Sequence, residues 1–271
     1  MRDPAAMPCT PVTVPGHFGE WIQGRLGPDG PVALITLACP ALSARAPGTG
    51  IRLPALFDAA RLDAFAAALG LNSPDWPALD CDMPLGAGAG ASTACLVASA
   101  RALGHCGPRD ALARACLGVE GASDPLMHAH PDRLLWASRR AEVLRDLPSL
   151  PEAEIVGGLW GDTERTDPCD ENFPDISDLV AFWSGAAARG DLAALAGIAT
   201  ESARRSTAHR GPADPMPDLA RDLGALGYAR AHTGPARALI FAPGKVPNGA
   251  GAGLQEAGLR DVLRFRTGGA A

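Results

Sequence analysis

Residues 84–93 read "PLGAGAGAST" and run directly into the apolar, alanine-rich "ACLVASARALG". Side chains have almost vanished from this loop, so something approaches its backbone closely, either another polypeptide segment or an anion. Pro84 fixes the start of the loop, Gly86, Gly88 and Gly90 allow backbone angles closed to other residues, and Ser92 stands where an N-cap or first-turn residue belongs. A helix N-terminus carries roughly half a positive charge. With no large side chain in the way, a phosphate can sit on its free amides. Ser92 or Thr93 could add a hydroxyl to that phosphate or to its metal. On the loop alone, a tight helix start in which the glycines serve only close packing is an equal reading.

The elements that must position this loop follow from pattern. Residues 11–26 and 31–45 carry enough Val, Ile, Thr and Leu for two strands around the turn "GPDG". "DAARLDAFAAALG" (58–70) predicts a short amphipathic helix ending at Gly70. A helix from about Ser92 to Leu103 follows the glycine loop, and another over 108–120 opens with a proline in its first turn and stops at Gly121. Residues 134–148 fit a helix or a strand pair equally, and "PEAEIVGGLWGD" fits a strand. "ISDLVAFWSGAAARG", "DLAALAGIATESARRSTAH" and "DLARDLGALG" predict helices, and "ARALIFAP" (236–243) a strand. Strands and helices without strict alternation favour an α+β fold, with a boundary near residue 150.

Composition narrows the functions. The chain has 271 residues, enough for one large or two small domains. No apolar run approaches the ~20 residues of a membrane helix, and "MRDPAAMPCTPVTVPG" lacks the pattern of a signal peptide, so the expected location is the cytoplasm. A net charge of −6 with no basic run argues against nucleic acid as a partner. The seven cysteines, at 9, 39, 81, 95, 106, 116 and 169, contain no CxxC pair, which argues against a disulfide framework and a structural zinc site. Those at 95 and 116 read as packing residues. Lys245 is the only lysine, so a Walker-type phosphate loop is excluded.

The loop has company elsewhere in the chain. "PLGAGAGASTA" resembles the second motif of the GHMP kinases, P-x-x-x-G-L-G-S-S-A-A, matching at Pro84, Gly88, Gly90, Ser92 and Ala94, with Ala89, Ala91 and Thr93 replacing the usual residues. "VPGHFGEWIQG" (14–24) occupies the place of their first motif. It is similar to the P-A-S-x-G-E-x-I-Q-G of the L-threonine kinases of coenzyme B12 synthesis, coinciding at Pro15, Gly19, Glu20, Ile22, Gln23 and Gly24. The two motifs stand in order, about 60 residues apart, which is far more specific than either alone. "VEGASDPLMHAHPDRLLWASRR" (119–140) is similar to a further segment of this branch, with Asp124 in the place of its Asp, and "GDLAALAGIATESARRS" (190–206) to one of its helices. The third motif is degenerate: "AHTGPARALIF" (231–241) keeps only Thr233 and Gly234.

The resemblance implies a ribosomal S5 domain 2-like N-terminal half and a ferredoxin-like C-terminal half, 1–150 and 151–271, and phosphoryl transfer from ATP to a small alcohol. That chemistry requires neutralised phosphate oxygens, an in-line nucleophile and a group to receive or orient its proton. The resemblance puts Pro84, Gly86, Gly88, Ala89, Gly90, Ala91, Ser92 and Thr93 on ATP, Ser92 and Glu120 on Mg2+, and Asp124 in the role of base or nucleophile-orienting residue. Asp124 precedes Pro125, which disfavours helix and leaves it on a turn. By residue type alone, Glu120 and Asp124 would be a solvated helix end and a turn residue; their position after the loop reverses that preference.

For a small hydroxy amino acid, Arg204 and Arg205 suit its carboxylate, and His17, Glu20 and Gln23 its other end. His17 departs from the small polar residue of the related sequences. L-Threonine is the expected acceptor; another small hydroxy compound, or a nucleotide-binding sensor without turnover, remains open, as does a homodimer. "HAH" (128–130) has no partner that would complete a metal site, and "PNGAGAGLQEAG" (247–258) reads as a surface loop.

Overall fold

The computed structural model describes residues 11–164, 166–231 and 233–269. Most of the N-terminal segment read for a signal, including Cys9, therefore lies outside the described residues, as does His232 of the degenerate third motif.

The chain opens with a long hairpin, β1 (Val12–Arg25) and β2 (Val32–Ala46), running in register from Val12 opposite Ala46 to Arg25 opposite Val32. Both strands are buried over most of their length, as their apolar runs require. The pairing slips between Pro15 and Gly16 and on either side of Glu20. Such bulges turn side chains out of strict alternation, and they fall on the motif carrying His17 and Glu20.

Next come α1 (Ala59–Ala68), capped by the Asp58 side chain on the amide of Arg61, and β3 (Asp80–Cys81), paired with β2. α2 (Ala91–Ala102) follows the glycine loop directly. Its Ala, Ser, Thr and Cys side chains are small on every side, so the helix is buried all round against β1 and β2. α3 (Arg109–Glu120) packs on α1 and ends at Gly121 in the left-handed conformation. Pro108 caps this helix from outside instead of occupying its first turn.

Residues 134–148 resolve as a strand pair, β4 (Leu134–Ala137) and β5 (Glu142–Asp146), with β4 joined to β2. The remainder comprises β6 (Ala153–Leu159), α4 (Ser177–Ala188), α5 (Leu192–Arg210), α6 (Met216–Asp222), β7 (Gly227–Arg230), β8 (Ala236–Phe241), α7 (Ala250–Glu256) and β9 (Arg260–Thr267). The last helix corrects the expectation of a surface loop over 247–258: Ala250 and Leu254 are buried against Val156 and Leu239.

All described strands share one antiparallel sheet in the order β5-β4-β2-β1-β7-β8-β6-β9, with β3 beside β2. A single pairing, Glu20 opposite Arg230, joins β1 to β7. α5 packs across β1 and β7 at that joint, and Trp21 and Trp183 meet at 5.7 Å between ring centres close by. The α+β expectation holds. No helix among the described residues is long and apolar enough to cross a membrane.

Candidate active site

The glycine loop is tied to the protein through its carbonyls. The oxygens of Gly86, Ala87, Gly88 and Ala89 accept from the amides of Glu164 (3.0 Å), Ala236 (3.1 Å), Gly19 (3.2 Å) and His17 (3.1 Å). Gly86, Gly88 and Gly90 all have φ between 73° and 76°. A Cβ on Gly88 would strike Ala231 and the Thr233 carbonyl, and one on Gly90 would meet His17 and Leu126 at 2.7 Å. Close packing of the backbone is thus one cause of the glycines.

The other reading of the loop is compatible with it. Once the carbonyls are engaged, the first-turn amides of α2 are left without intrahelical acceptors, and the N-cap, Gly90, has no side chain to satisfy them. Gly90, Ala91 and Ser92 border a cavity of about 320 Å3. The wall carries the other loop positions Pro84, Gly86, Gly88 and Ala89, and also His17, Glu20, Glu120 and Asp124. Thr93 lies one position around the helix and faces inward, buried.

Glu120, at the last residue of α3, is met among the described residues only by hydroxyls: Ser92 Oγ donates to Oε1 and Thr93 Oγ1 to Oε2 (2.8 Å). Burial, with the nearby Asp124 charge, pushes its carboxyl up to about 8 in spite of those two hydrogen bonds. A half-buried carboxylate with no cation beside it among the described residues, sharing a serine hydroxyl beside free helix amides, fits a hard divalent ion. No group of three or more His, Cys, Asp or Glu among the described residues could hold a metal. An ion at Glu120 and Ser92 would therefore complete its shell with water and phosphate, as Mg2+ ordinarily does.

Asp124 follows α3 by one turn of irregular chain, and its amide approaches Thr93 Oγ1 at 3.4 Å. Its side chain is 25% exposed, to the cavity, and Oδ2 lies 3.3 Å from Nε2 of the buried His17. The alignment falls short of a hydrogen bond, so the attraction is that of an ion pair. The other ring nitrogen, Nδ1, sits 3.3 Å from the Gly19 carbonyl and 3.8 Å from Glu20. Burial opposes protonation of His17, but Asp124, then Glu20 and the Gly19 carbonyl, outweigh it and push its pKa up to about 9.

A pH effect follows from that imidazolium. A base whose folded pKa of about 9 exceeds its ordinary 6.5 contributes stability fully present below pH 6.5 and lost as the pH rises through 9. The Tm difference between the native protein and H17Q should thus be largest near pH 6 and shrink steadily towards pH 9.5. A difference constant over that range would exclude a charged His17.

Other expected site residues lie elsewhere. Gln23 is buried away from the cavity, donating to the Arg230 carbonyl (3.0 Å) while its backbone N–H donates to Ser202 Oγ (3.0 Å), so it bridges β1 to β7 and α5. Arg204 and Arg205 do not reach the cavity. The face of α5 that meets the sheet carries Ser202 and Ser206, and the arginines point away from it. Arg204 pairs with Glu201 (2.7 Å), and Arg205 forks onto Asp178 (2.6 Å) and also reaches Glu201 (2.8 Å). Helix spacing of three and four residues supplies Glu201 locally, and the neighbouring α4 supplies Asp178.

Besides His17, the cations bordering the cavity among the described residues are Arg61 and Arg139, neither foreseen from sequence. Arg139, in the turn between β4 and β5, donates to Ser138 Oγ (3.1 Å) and to the carbonyls of Asp167 and Asp170, while its buried Nε has no hydrogen-bond partner among the described residues. Thr233 of the degenerate motif also reaches the cavity, hydrogen-bonded to Thr166 at 2.6 Å. His128 packs its ring edge-on against Trp136.

No family model matches the chain, and no curated protein matches it in sequence. Solved structures do match. The mevalonate kinase of L. major, in complex with R-mevalonate, aligns with a TM-score of 0.65 at 14% identity over 100% of both chains. The mevalonate kinase of methicillin-resistant Staphylococcus aureus aligns with a TM-score of 0.60 at 17% identity, over 96% of this chain and 99% of that one. The homoserine kinase of Cytophaga hutchinsonii gives 0.60 at 14%, over 100% and 96%. At such identities the likeness is one of architecture: the chain shares the fold of these mevalonate and homoserine kinases.

Proposed function

We propose that the protein is an ATP-dependent kinase that transfers the γ-phosphoryl group to the hydroxyl of L-threonine, giving O-phospho-L-threonine for the aminopropanol linker of cobalamin. The observation carrying this reading is the convergence on one cavity of the α2 amide end, the Ser92–Glu120 pair and the Asp124–His17 pair. The division into an ATP-binding half, 1–150, and a C-terminal half, 151–271, belongs to the same proposal.

In this reading the triphosphate rests on the amides of Gly90, Ala91 and Ser92. Ser92 and Glu120 are the residues that would hold Mg2+, and the ion would supply charge neutralisation for the phosphate oxygens. Asp124 faces the acceptor hydroxyl and takes its proton as the new O–P bond forms and the bond from the γ-phosphorus to the bridging oxygen breaks, releasing ADP, while the His17 imidazolium keeps that carboxylate oriented. Arg139 replaces Arg204 and Arg205 as the partner of the substrate carboxylate, and Glu20 offers a negative charge for the ammonium.

ADP release with Mg-ATP and a panel of L-threonine, L-serine, L-homoserine and 1-amino-2-propanol tests the assignment. Threonine-dependent turnover that disappears in S92A supports it. Turnover on a different alcohol alone moves the acceptor, and ATP binding without turnover on any acceptor makes the protein a sensor. R139A should raise the KM for the amino acid by about 10- to 100-fold, the worth of a charge-assisted hydrogen bond, with the KM for ATP little changed. Equal rises in both constants would take Arg139 off the acceptor.

A further inference from the structure

A second cavity, of about 380 Å3, lies behind the glycine loop, and two cysteines, Cys81 and Cys95, share its wall. Cys81 stands on β3 opposite Ala44, three residues before Pro84; Cys95 stands in the second turn of α2. Residues 82–94 between them hold the entire glycine loop and the first turn of the helix. Cys81 is half-buried and open to the cavity, whereas Cys95 is fully buried.

The two thiols share that wall closely enough to perturb one another. The Cys95 thiol, outweighing burial, holds the Cys81 thiol down to about 7, and the same contact together with burial pushes Cys95 up. Burial pushes up Cys39 and Cys116 as well. Cys81 therefore differs from the other interior cysteines: its thiol is held down where theirs are pushed up, it opens to the cavity, and a second thiol lines the same wall. The packing role expected for Cys95 is real but incomplete.

We propose that Cys81 and Cys95 are a redox dithiol that a peroxide converts to an intramolecular disulfide, closing residues 82–94 into a ring and fixing the glycine loop. The Cys81 thiolate attacks one peroxide oxygen; the S–O bond forms, the O–O bond breaks, and the departing hydroxide takes a proton to become water. The Cys95 thiol then gives up its proton and attacks the Cys81 sulfenic sulfur. The S–S bond forms as the S–O bond breaks, and the second oxygen leaves as water. Two thiols have lost two electrons to one peroxide. This chemistry does not depend on the kinase reading.

The test uses the full chain with Cys9, Cys106 and Cys169 replaced by serine, treated with hydrogen peroxide, alkylated and mapped by mass spectrometry. The expected result is a cross-link between Cys81 and Cys95 that dithiothreitol reverses, with amide hydrogen exchange over residues 84–92 slowed at least about fivefold while the cross-link persists. C81S should give neither change under the same treatment. C95S, lacking the resolving thiol, should accumulate a sulfenic acid at Cys81 that dimedone traps. Cys81 and Cys95 both remaining alkylatable after peroxide would overturn the dithiol. A cross-link that leaves exchange over 84–92 unchanged would overturn its hold on the loop.

Discussion

Asp124→Asn is expected to lower kcat by about a thousandfold, within the 10²–10⁴ range of a lost general base, with the Kd for ATP shifted by less than about twofold. The substitution keeps the shape of the side chain and removes its capacity to take a proton. Asp124 faces the cavity, and its charge supports the fold through one buried partner, the His17 imidazolium, so both measurements belong at a temperature well below the Tm of the variant. ATP, by contrast, would be held by the amides of α2 and by an ion on Glu120 and Ser92, and none of these is altered. Equilibrium ATP binding and single-turnover phosphoryl transfer, measured on the same preparation, separate the two effects. An equal loss in both would make Asp124 a structural partner of His17 and leave positioning and electrostatics as the sources of rate. D124E tests the geometry independently: it restores the carboxylate but moves it one methylene into the cavity, and should recover only part of the rate.

Sequence revealed the parts of the site that local rules govern. The glycine loop, the helix after it, the end of α3 at Gly121 and the turn at Asp124 each follow from residues that are neighbours in the chain. Signals were weaker where distant segments cooperate. β7 is four residues long, too short for any period to show, and it exists because α5 and β1 cover it. β9 alternates exposed arginines with Leu263 and Phe265, a legible edge-strand pattern that high charge disguises. Arg139 had no local signal. The β4–β5 hairpin brings it to the cavity, and the partners of that hairpin lie a hundred residues earlier on β2. Arg204 and Arg205 lie off the cavity because carboxylates outside it already hold them, Glu201 one turn earlier on α5 and Asp178 on α4.

The glycines are where the two readings of the loop give different numbers. If they existed solely to let a phosphate approach, G88A would fold as the native protein does and lose only ATP affinity. The structure places protein where that Cβ would go: the Ala231 side chain, and the Thr233 carbonyl at 2.5 Å, with φ at +73°. Neither neighbour is the far end of a flexible chain. A strained left-handed alanine costs about 1–3 kcal/mol and overpacking about 1–3 more, so G88A should lose on the order of 2–6 kcal/mol of unfolding free energy without ligand. At Gly86 the nearest atoms are the backbone of Glu164 at 3.2–3.3 Å, so G86A should lose mainly the conformational share. Chemical denaturation of both variants in the absence of nucleotide measures this directly. G88A at native stability with weakened ATP binding would return the glycine to ligand approach alone. A large loss in G88A and a smaller one in G86A would mean that the loop is first a packing joint between β1, β8 and Glu164, and that the free amides of α2 are a consequence of how tightly the loop carbonyls are held.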